Sequence, residues 1–238
     1  MLPSTLWQKE LAETFASKRS LAIKLAFPLA LAGPVIIASP PPAVTAGAVA
    51  FLVLFVGVFG SAVGLAQERR EGIWQRVMLT PHSPGRLLAE VVLANAAVDL
   101  LQLSPVFAIF LLRFRPSTPW LVAVLVGGVA ATLVAGLLGV LLASAVEGSG
   151  EVHLYAAVLV FALAGLSGLF FPLRAENAWQ VAVARASPFT YLAQALLGAE
   201  GGPALFGPLD SALSLGLLSA GLLGVALLAA PRLLRLRD

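Results

Sequence analysis

Six long apolar runs divide the chain and set the main limit on its fold. A helix that crosses a bilayer needs about 20 mostly apolar residues. The stretches close to that length are 21–38, 44–66, 87–112, 119–146, 152–172 and 209–230. Each predicts a transmembrane helix, because backbone polar groups in lipid must be satisfied within the segment itself. The sequence therefore predicts an all-α polytopic membrane protein with six transmembrane helices in a single domain, 1–238.

The composition agrees with lipid as the main solvent. Hydrophobic residues make up 59% of the chain and charged residues 11%, whereas a soluble domain has roughly 25% charged residues. The sequence has no cysteine, which excludes disulfides and thiolate metal sites. His82 and His153 are too few for a histidine-built metal cluster, so we expect neither a metal nor a cofactor on this chain. No basic patch interleaved with aromatic residues is present, so we expect no nucleic-acid partner.

The basic residues predict the orientation, since loops rich in Lys and Arg stay in the cytoplasm. With the N-terminus inside, the cytoplasmic segments hold eleven of the 15 basic residues: Lys9, Lys18, Arg19, Lys24, Arg69, Arg70, Arg76, Arg86, Arg232, Arg235 and Arg237. The other four, Arg113, Arg115, Arg174 and Arg185, fall outside. We therefore expect both termini in the cytoplasm and the protein in the inner membrane of a bacterial or archaeal cell. Lys24 lies near the start of the first run. Its long aliphatic side chain is expected to carry the ammonium group to the membrane interface.

Residues 1–20 differ from the runs because charges alternate with apolar residues. Leu6, Trp7, Leu11 and Phe15 recur at helical spacing, which predicts an amphipathic helix lying in the membrane interface. A frayed tail is the alternative. A cleaved signal peptide covering the first run is disfavoured, because Glu10 and Glu13 interrupt the basic segment that such peptides carry.

The segment 67–86 is the longest predicted cytoplasmic loop. It opens with a mixed-charge cluster, Glu68, Arg69, Arg70 and Glu71, followed by Gly72. Apolar residues then recur on one face of a short helix, namely Ile73, Trp74, Val77 and Met78. Such a helix suits the docking of a soluble partner. Contact of the same face with lipid headgroups explains the pattern equally well.

The segment 173–208 is predicted to lie outside and is too long to be an unstructured loop. Ser187 is expected to cap a helix that begins at Pro188, and 188–198 is strongly apolar. A second short helix is expected around Trp179. We therefore predict a re-entrant helical pair between transmembrane helices five and six.

A polar stripe is expected inside the third run. Asn95, Asp99 and Gln102 are spaced so that they share one helix face. A carboxyl group at that depth costs about 2.5–3.5 kcal/mol on insertion scales, so Asp99 should face protein or water. The stripe either lines a substrate path, where Asp99 would bind a cationic group, or forms a hydrogen-bonded cluster between helices at the subunit interface.

Three motifs together resemble the permease subunits of type-2 ATP-binding-cassette exporters. Lys9-Glu10-Leu11 is similar to the family's connecting helix, and Glu68–Ile73 with Val77–Pro81 is similar to its cytoplasmic coupling segment. The third motif, similar to the signature after the fifth span, comprises Ser167–Pro172, with Phe171 and Pro172, and Ala184–Tyr191, with Pro188 and Tyr191. Trp74-Gln75 departs from the family, which more often has a small or hydroxyl residue and then Glu. This leaves the detail of the docking contact open.

The resemblance implies a permease that moves substrate outward by alternating access, together with a second permease subunit, identical or different, and a separate ATPase. It assigns ATPase coupling to Glu68, Arg69, Glu71, Gly72, Trp74 and Met78. ATP and Mg²⁺ would bind the partner, since the lysines of this chain are Lys9, Lys18 and Lys24 and none completes a P-loop. One alternative is a permease like the haem exporter of cytochrome c maturation, and another is a scaffold or channel without ATP coupling. No nucleophile–base pair at membrane depth supports an enzyme, and the sequence does not name the substrate.

Overall fold

Every regular element that the structure describes is a helix. The computed structural model describes residues 18–38, 40–72, 83–146, 148–171 and 176–233, together with Phe15 and Leu173. The helices of these segments are α1 (Lys18–Ala38), α2 (Pro42–Arg70), α3 (Pro84–Phe114), α4 (Thr118–Ala145), α5 (Ser149–Leu166), α6 (Ala178–Ala184), α7 (Pro188–Ala199) and α8 (Pro208–Leu233). The prediction of an all-α fold is confirmed for this part of the chain.

Five of these helices, α1 to α4 and α8, are long and apolar enough to cross a membrane. The prediction of a multi-pass membrane protein is therefore confirmed. The fifth predicted run, 152–172, is helical over a shorter stretch, because α5 ends at Leu166. Gly168, with a φ of 73°, lies in the left-handed region just beyond, and this conformation turns the chain out of the helix.

Proline and serine mark the helix starts. Pro42, Pro84 and Pro188 open α2, α3 and α7, where proline loses no hydrogen bond because the first N–H groups of a helix have no intrahelical partner. Ser83 accepts a hydrogen bond from the backbone N–H of Arg86 at 3.4 Å, which caps α3.

The end of α2 and the start of α3 differ from the bounds of the predicted cytoplasmic loop, 67–86. Helix α2 continues through Arg70 and α3 begins at Pro84, so the first charged residues of the predicted loop form the last turn of a helix. The long apolar helix continues because the residues before Glu71 are good helix formers. It ends at Arg70, and Gly72, with a φ of 69°, turns the chain away just beyond. Of the predicted interfacial helix 1–20, residues 1–14, 16 and 17 lie outside the described residues, and Lys18 begins α1.

Among the described helices, the most extensive contact joins α2 to α4, and small residues line it. A Cβ atom added to Gly57 would lie 2.5 Å from the Cβ of Ala135, and one added to Gly139 would lie 2.5 Å from the carbonyl oxygen of Val58. Only glycine lets the two backbones approach this closely. Helix α2 also packs against α1, α3, α5 and α7, so it is the centre of the bundle.

We predict that Gly57→Leu destabilises the protein by about 1–3 kcal/mol or more, because the new side chain has no room against α4. The measurement is the thermal unfolding midpoint of the purified protein. Gly64→Leu is the matched control on the same helix, since nothing lies within 4 Å of its Cβ position. Equal midpoints for the two variants would contradict the importance of this contact.

Candidate functional site

The charged end of α2 is fastened to the end of α4. The Arg69 Nη1 group donates to the carbonyl oxygens of Ala143 at 2.5 Å and Val146 at 3.4 Å. These carbonyls lie at the C-terminus of α4, where helix backbone acceptors lack intrahelical partners and a positive charge is favourable. Arg69, assigned to ATPase coupling by resemblance, therefore has a contact within its own chain.

Three more residues of the predicted coupling set lie around the same helix end, namely Glu68, Glu71 and Gly72. Gln67 Nε2 donates to Glu71 Oε1 at 2.9 Å across one exposed helical turn. Glu68 lies in the last turn of α2, and Gly72 ends the helix. Trp74 and Met78 lie outside the described residues, so the predicted apolar face stays a prediction.

The opposite end of the bundle contains the two short helices α6 and α7. Every residue of α7 is buried, and α7 packs against α2, α4 and α8. The Thr190 hydroxyl donates to the carbonyl of Ala184 at 2.7 Å, and that of Tyr191 donates to the carbonyl of Arg185 at 3.1 Å. These bonds tie the start of α7 to the end of α6. The predicted apolar helix over 188–198 is confirmed.

Ser187 occupies the capping position of α7, as predicted, but its side chain does not cap the helix. Its hydroxyl instead lies 2.6 Å from that of Ser167, just beyond α5. Thr190 also reaches the carbonyl oxygen of Ser167, at 3.2 Å. The cap is lost because the serine joins α7 to the end of α5, a long-range contact that local spacing does not encode. Of the other signature residues, Phe171 is exposed and Pro172 lies outside the described residues.

A cavity of about 280 Å³ lies between the start of α2 and the inner face of α7. Its lining is mostly apolar and includes Pro42, Gly47, Ala193, Gln194 and Leu197. The amide oxygen of Gln194 is already used, because it accepts a hydrogen bond from the backbone N–H of Leu205 at 2.7 Å. The cavity thus offers shape but little polar chemistry.

One comparison with known proteins decides the family. A family model described as ABC-2 type transporter matches residues 4–200, most of the chain. The chain belongs to the ABC-2 type transporter family. The matched domain is the permease component of such transporters, so the family resemblance seen in the sequence is confirmed. A search of curated proteins finds no match.

The predicted polar stripe of this ABC-2 permease lies on α3, and its central residue faces protein. Asp99 is 3% exposed, whereas Asn95 and Gln102 are half-buried. A Cβ atom added to Gly60 of α2 would lie 3.1 Å from Asp99 Oδ1, and the charge of Lys24 on α1 acts on the same carboxyl group. Asp99 therefore lies among three helices.

Lys24 is half-buried, and its extension to the membrane interface stays a prediction. Its ammonium group interacts with Asp99 of α3, a residue buried within the bundle. An acidic partner inside the membrane offsets the cost of keeping the lysine charge there. Spacing along one helix does not reveal which charge on another helix faces it, so the sequence did not predict this pair.

A phenylalanine ladder on the ABC-2 permease was also not predicted. Phe51, Phe55 and Phe59 follow one another along α2, and the last two rings stack with centroids 4.4 Å apart. Phe51 meets Phe170 at 5.4 Å and Phe161 of α5 at 5.8 Å. The four-residue spacing on α2 was the available signal, but apolar residues at that spacing are ordinary in a membrane helix.

We predict that Arg69→Ala destabilises the protein by about 1–3 kcal/mol, because the end of α4 loses a charged donor. Thermal unfolding of the purified full chain measures the effect. Arg70→Ala is the control, since the neighbouring Arg70 is exposed. If both variants have the same unfolding midpoint as the unchanged protein, the hydrogen bonds from Arg69 to the end of α4 contribute nothing to stability.

Proposed function

We propose that this ABC-2 permease is the membrane-spanning subunit of an ATP-driven exporter. It works with a second permease subunit and a separate ATPase, and it moves its substrate outward by alternating access. The observation that carries the proposal is the family match over residues 4–200. The sequence adds that a P-loop is missing, so the ATP would bind another chain.

The proposed topology has six spans with both termini in the cytoplasm of a cell with an inner membrane. Helix α5 is the remaining span, and its apolar part, Gly150–Leu166, is long enough for about 25 Å at 1.5 Å per residue. Helices α6 and α7 are the re-entrant pair. Complete burial of the apolar α7 among three other helices supports this assignment, and the distribution of basic residues supports the orientation.

The proposed docking element is the end of α2 together with the segment that follows it. A partner that contacts Glu68, Glu71 or Gly72 would transmit force to the end of α2. Arg69, in the same helix turn, is hydrogen-bonded to the end of α4. Movement at this end is therefore carried into two long helices at once. Trp74 and Met78 would add the apolar anchor, since buried aromatic residues often dominate interface energies.

The proposed substrate path includes the polar stripe on α3, formed by Asn95, Asp99 and Gln102. Asp99 Oδ2 is buried without a hydrogen-bond partner among the described residues, while Lys24 acts on the same carboxyl group. A cationic group on the substrate would compete with Lys24 for this carboxylate. The stripe would then open when α1 moves away from α3.

We predict that Glu71→Ala and Trp74→Ala insert normally but lose co-purification of the ATPase or its substrate-stimulated hydrolysis. Removing one member of a desolvated interfacial charge pair typically costs about 2–5 kcal/mol, which is enough to uncouple the subunits. The measurement is ATPase recovery and ATP hydrolysis after purification of the tagged permease.

Matched controls lie at the other end of the bundle. Glu176 and Trp179 are both exposed, so Glu176→Ala and Trp179→Ala should keep full association. If the two docking variants also keep full association and full transport, the segment after α2 is a solvated turn and the docking proposal fails.

We predict that Asp99→Asn reduces transport of cationic substrates while the complex stays assembled. The measurement is uptake into inverted vesicles together with size-exclusion chromatography of the complex. Asp210→Asn, at an exposed position in the first turn of α8, is the control. Loss of assembly would assign Asp99 to packing, and unchanged transport with intact assembly would remove it from the path.

A further inference from the structure

Glu200 directly follows the last residue of α7, at the end of the bundle that contains α6 and α7, and its carboxyl group reaches into the protein. The oxygen Glu200 Oε1 is shielded from solvent and has no hydrogen-bond partner among the described residues. The turn after it is held in place, because Gly202 donates its N–H to the carbonyl of Leu197 at 2.9 Å. A Cβ atom added to Gly202 would lie 3.1 Å from that of Pro42. Glu200 is therefore fixed beside the start of α2.

Thr45, in the second turn of α2, has the same kind of unsatisfied atom. The residue is 0% exposed, and its Oγ1 also has no hydrogen-bond partner among the described residues. The hydroxyl is close enough to influence the Glu200 carboxyl, although the two groups are not in hydrogen-bond geometry. A buried polar atom without a partner costs about 1–3 kcal/mol. Because both atoms lack a partner, one hydrogen bond between them would satisfy both.

We propose that Glu200 is a proton-binding site, where a protonated carboxyl group donates to the Thr45 hydroxyl and fastens the end of α7 to the start of α2. One proton satisfies both unpartnered oxygens. A carboxylate in the same place would bring a charge into an apolar setting, which is costly. Protonation and its loss involve only this carboxyl group and bulk water.

Burial, and not a nearby charged group, has the main influence on the pKa of Glu200. The helices packed against α7 are α2, α4 and α8. In the described part of the chain, α2 has no charged residue before Glu68, α4 has none, and the start of α8 has the exposed Asp210. Arg185, ahead of α7, lies over the ring of Phe206 at 5.5 Å. Burial raises the pKa of Glu200 from 4.5 to about 7.

The sign of the pH dependence follows from this shift. The folded protein binds the proton more tightly than the unfolded chain, so the stabilising effect of the proton is fully present below about pH 4.5 and is lost as the pH rises through about 7. Because Glu200 is half-exposed, solvent reduces the effect. We expect the unfolding midpoint to fall by about 3–6 °C between pH 5 and pH 8 from this group.

The test compares the purified full chain with Glu200→Gln over pH 5 to 8. The glutamine is neutral at every pH and can still donate to Thr45. It should match the unchanged protein at pH 5 and unfold about 3–6 °C higher at pH 8. Glu176→Gln makes the same chemical change at an exposed position and should keep the unchanged pH profile. A Glu200→Gln protein that follows the unchanged profile, or is less stable at pH 8, overturns the proposal.

Thr45→Val provides a second test that leaves the carboxyl group in place. It removes the acceptor for the carboxyl proton, so Glu200 should bind the proton less tightly and the fall in stability should move to lower pH. If Glu200→Gln does not fold, this shift decides the matter, and an unmoved transition overturns the proposal. The measurement needs neither ATP nor a partner, so its outcome is independent of the proposed export function.

Discussion

The close approach of α2 and α4 is the contact on which the other features depend. In a membrane, lipid tails are as apolar as the helices, so association rests on van der Waals contact between well-fitted surfaces. Gly57 and Gly139 provide that fit by removing the side chains that would hold the backbones apart. Once these helices are joined, α2 has fixed faces for its neighbours. Along its length, α2 meets α7 at its start, Asp99 near its middle and Ala143 at its end.

Much of the helical fold follows from patterns within single segments. Apolar length predicted α2, α3, α4 and α8 closely, and Ser187-Pro188 located the start of α7. The helix ends were harder. Helix α2 extends beyond its apolar run because Glu68, Arg69 and Arg70 are good helix formers that reach past the hydrocarbon. Helix α5 stops before its apolar run ends, since the left-handed Gly168 redirects the chain despite the surrounding hydrophobicity.

The candidate sites depend on contacts that a single helix pattern does not contain. The coupling residues were assigned by resemblance, and their sequence gave no sign that Arg69 reaches the carbonyl of Ala143. The buried position of Asp99 was predictable from its depth, whereas its interaction with Lys24 required the arrangement of α1 against α3. Glu200 was overlooked because an acidic residue before Gly201-Gly202 is typical of an exposed turn. Its burial arises from the way that turn rests on Pro42.

The length of α2 gives its glycine contact a mechanical meaning. With 29 residues, the helix is roughly 43 Å long, and its two ends lie at opposite faces of the protein. A rigid rod pivoting near Gly57 by about 5° would displace each end by roughly 2 Å in opposite directions. Helix α4 would tilt with α2, because the close contact at Gly57 and Gly139 leaves no space for one backbone to slide past the other. Helices α2 and α4 would thus act together as a lever that pivots at the glycine contact near Gly57.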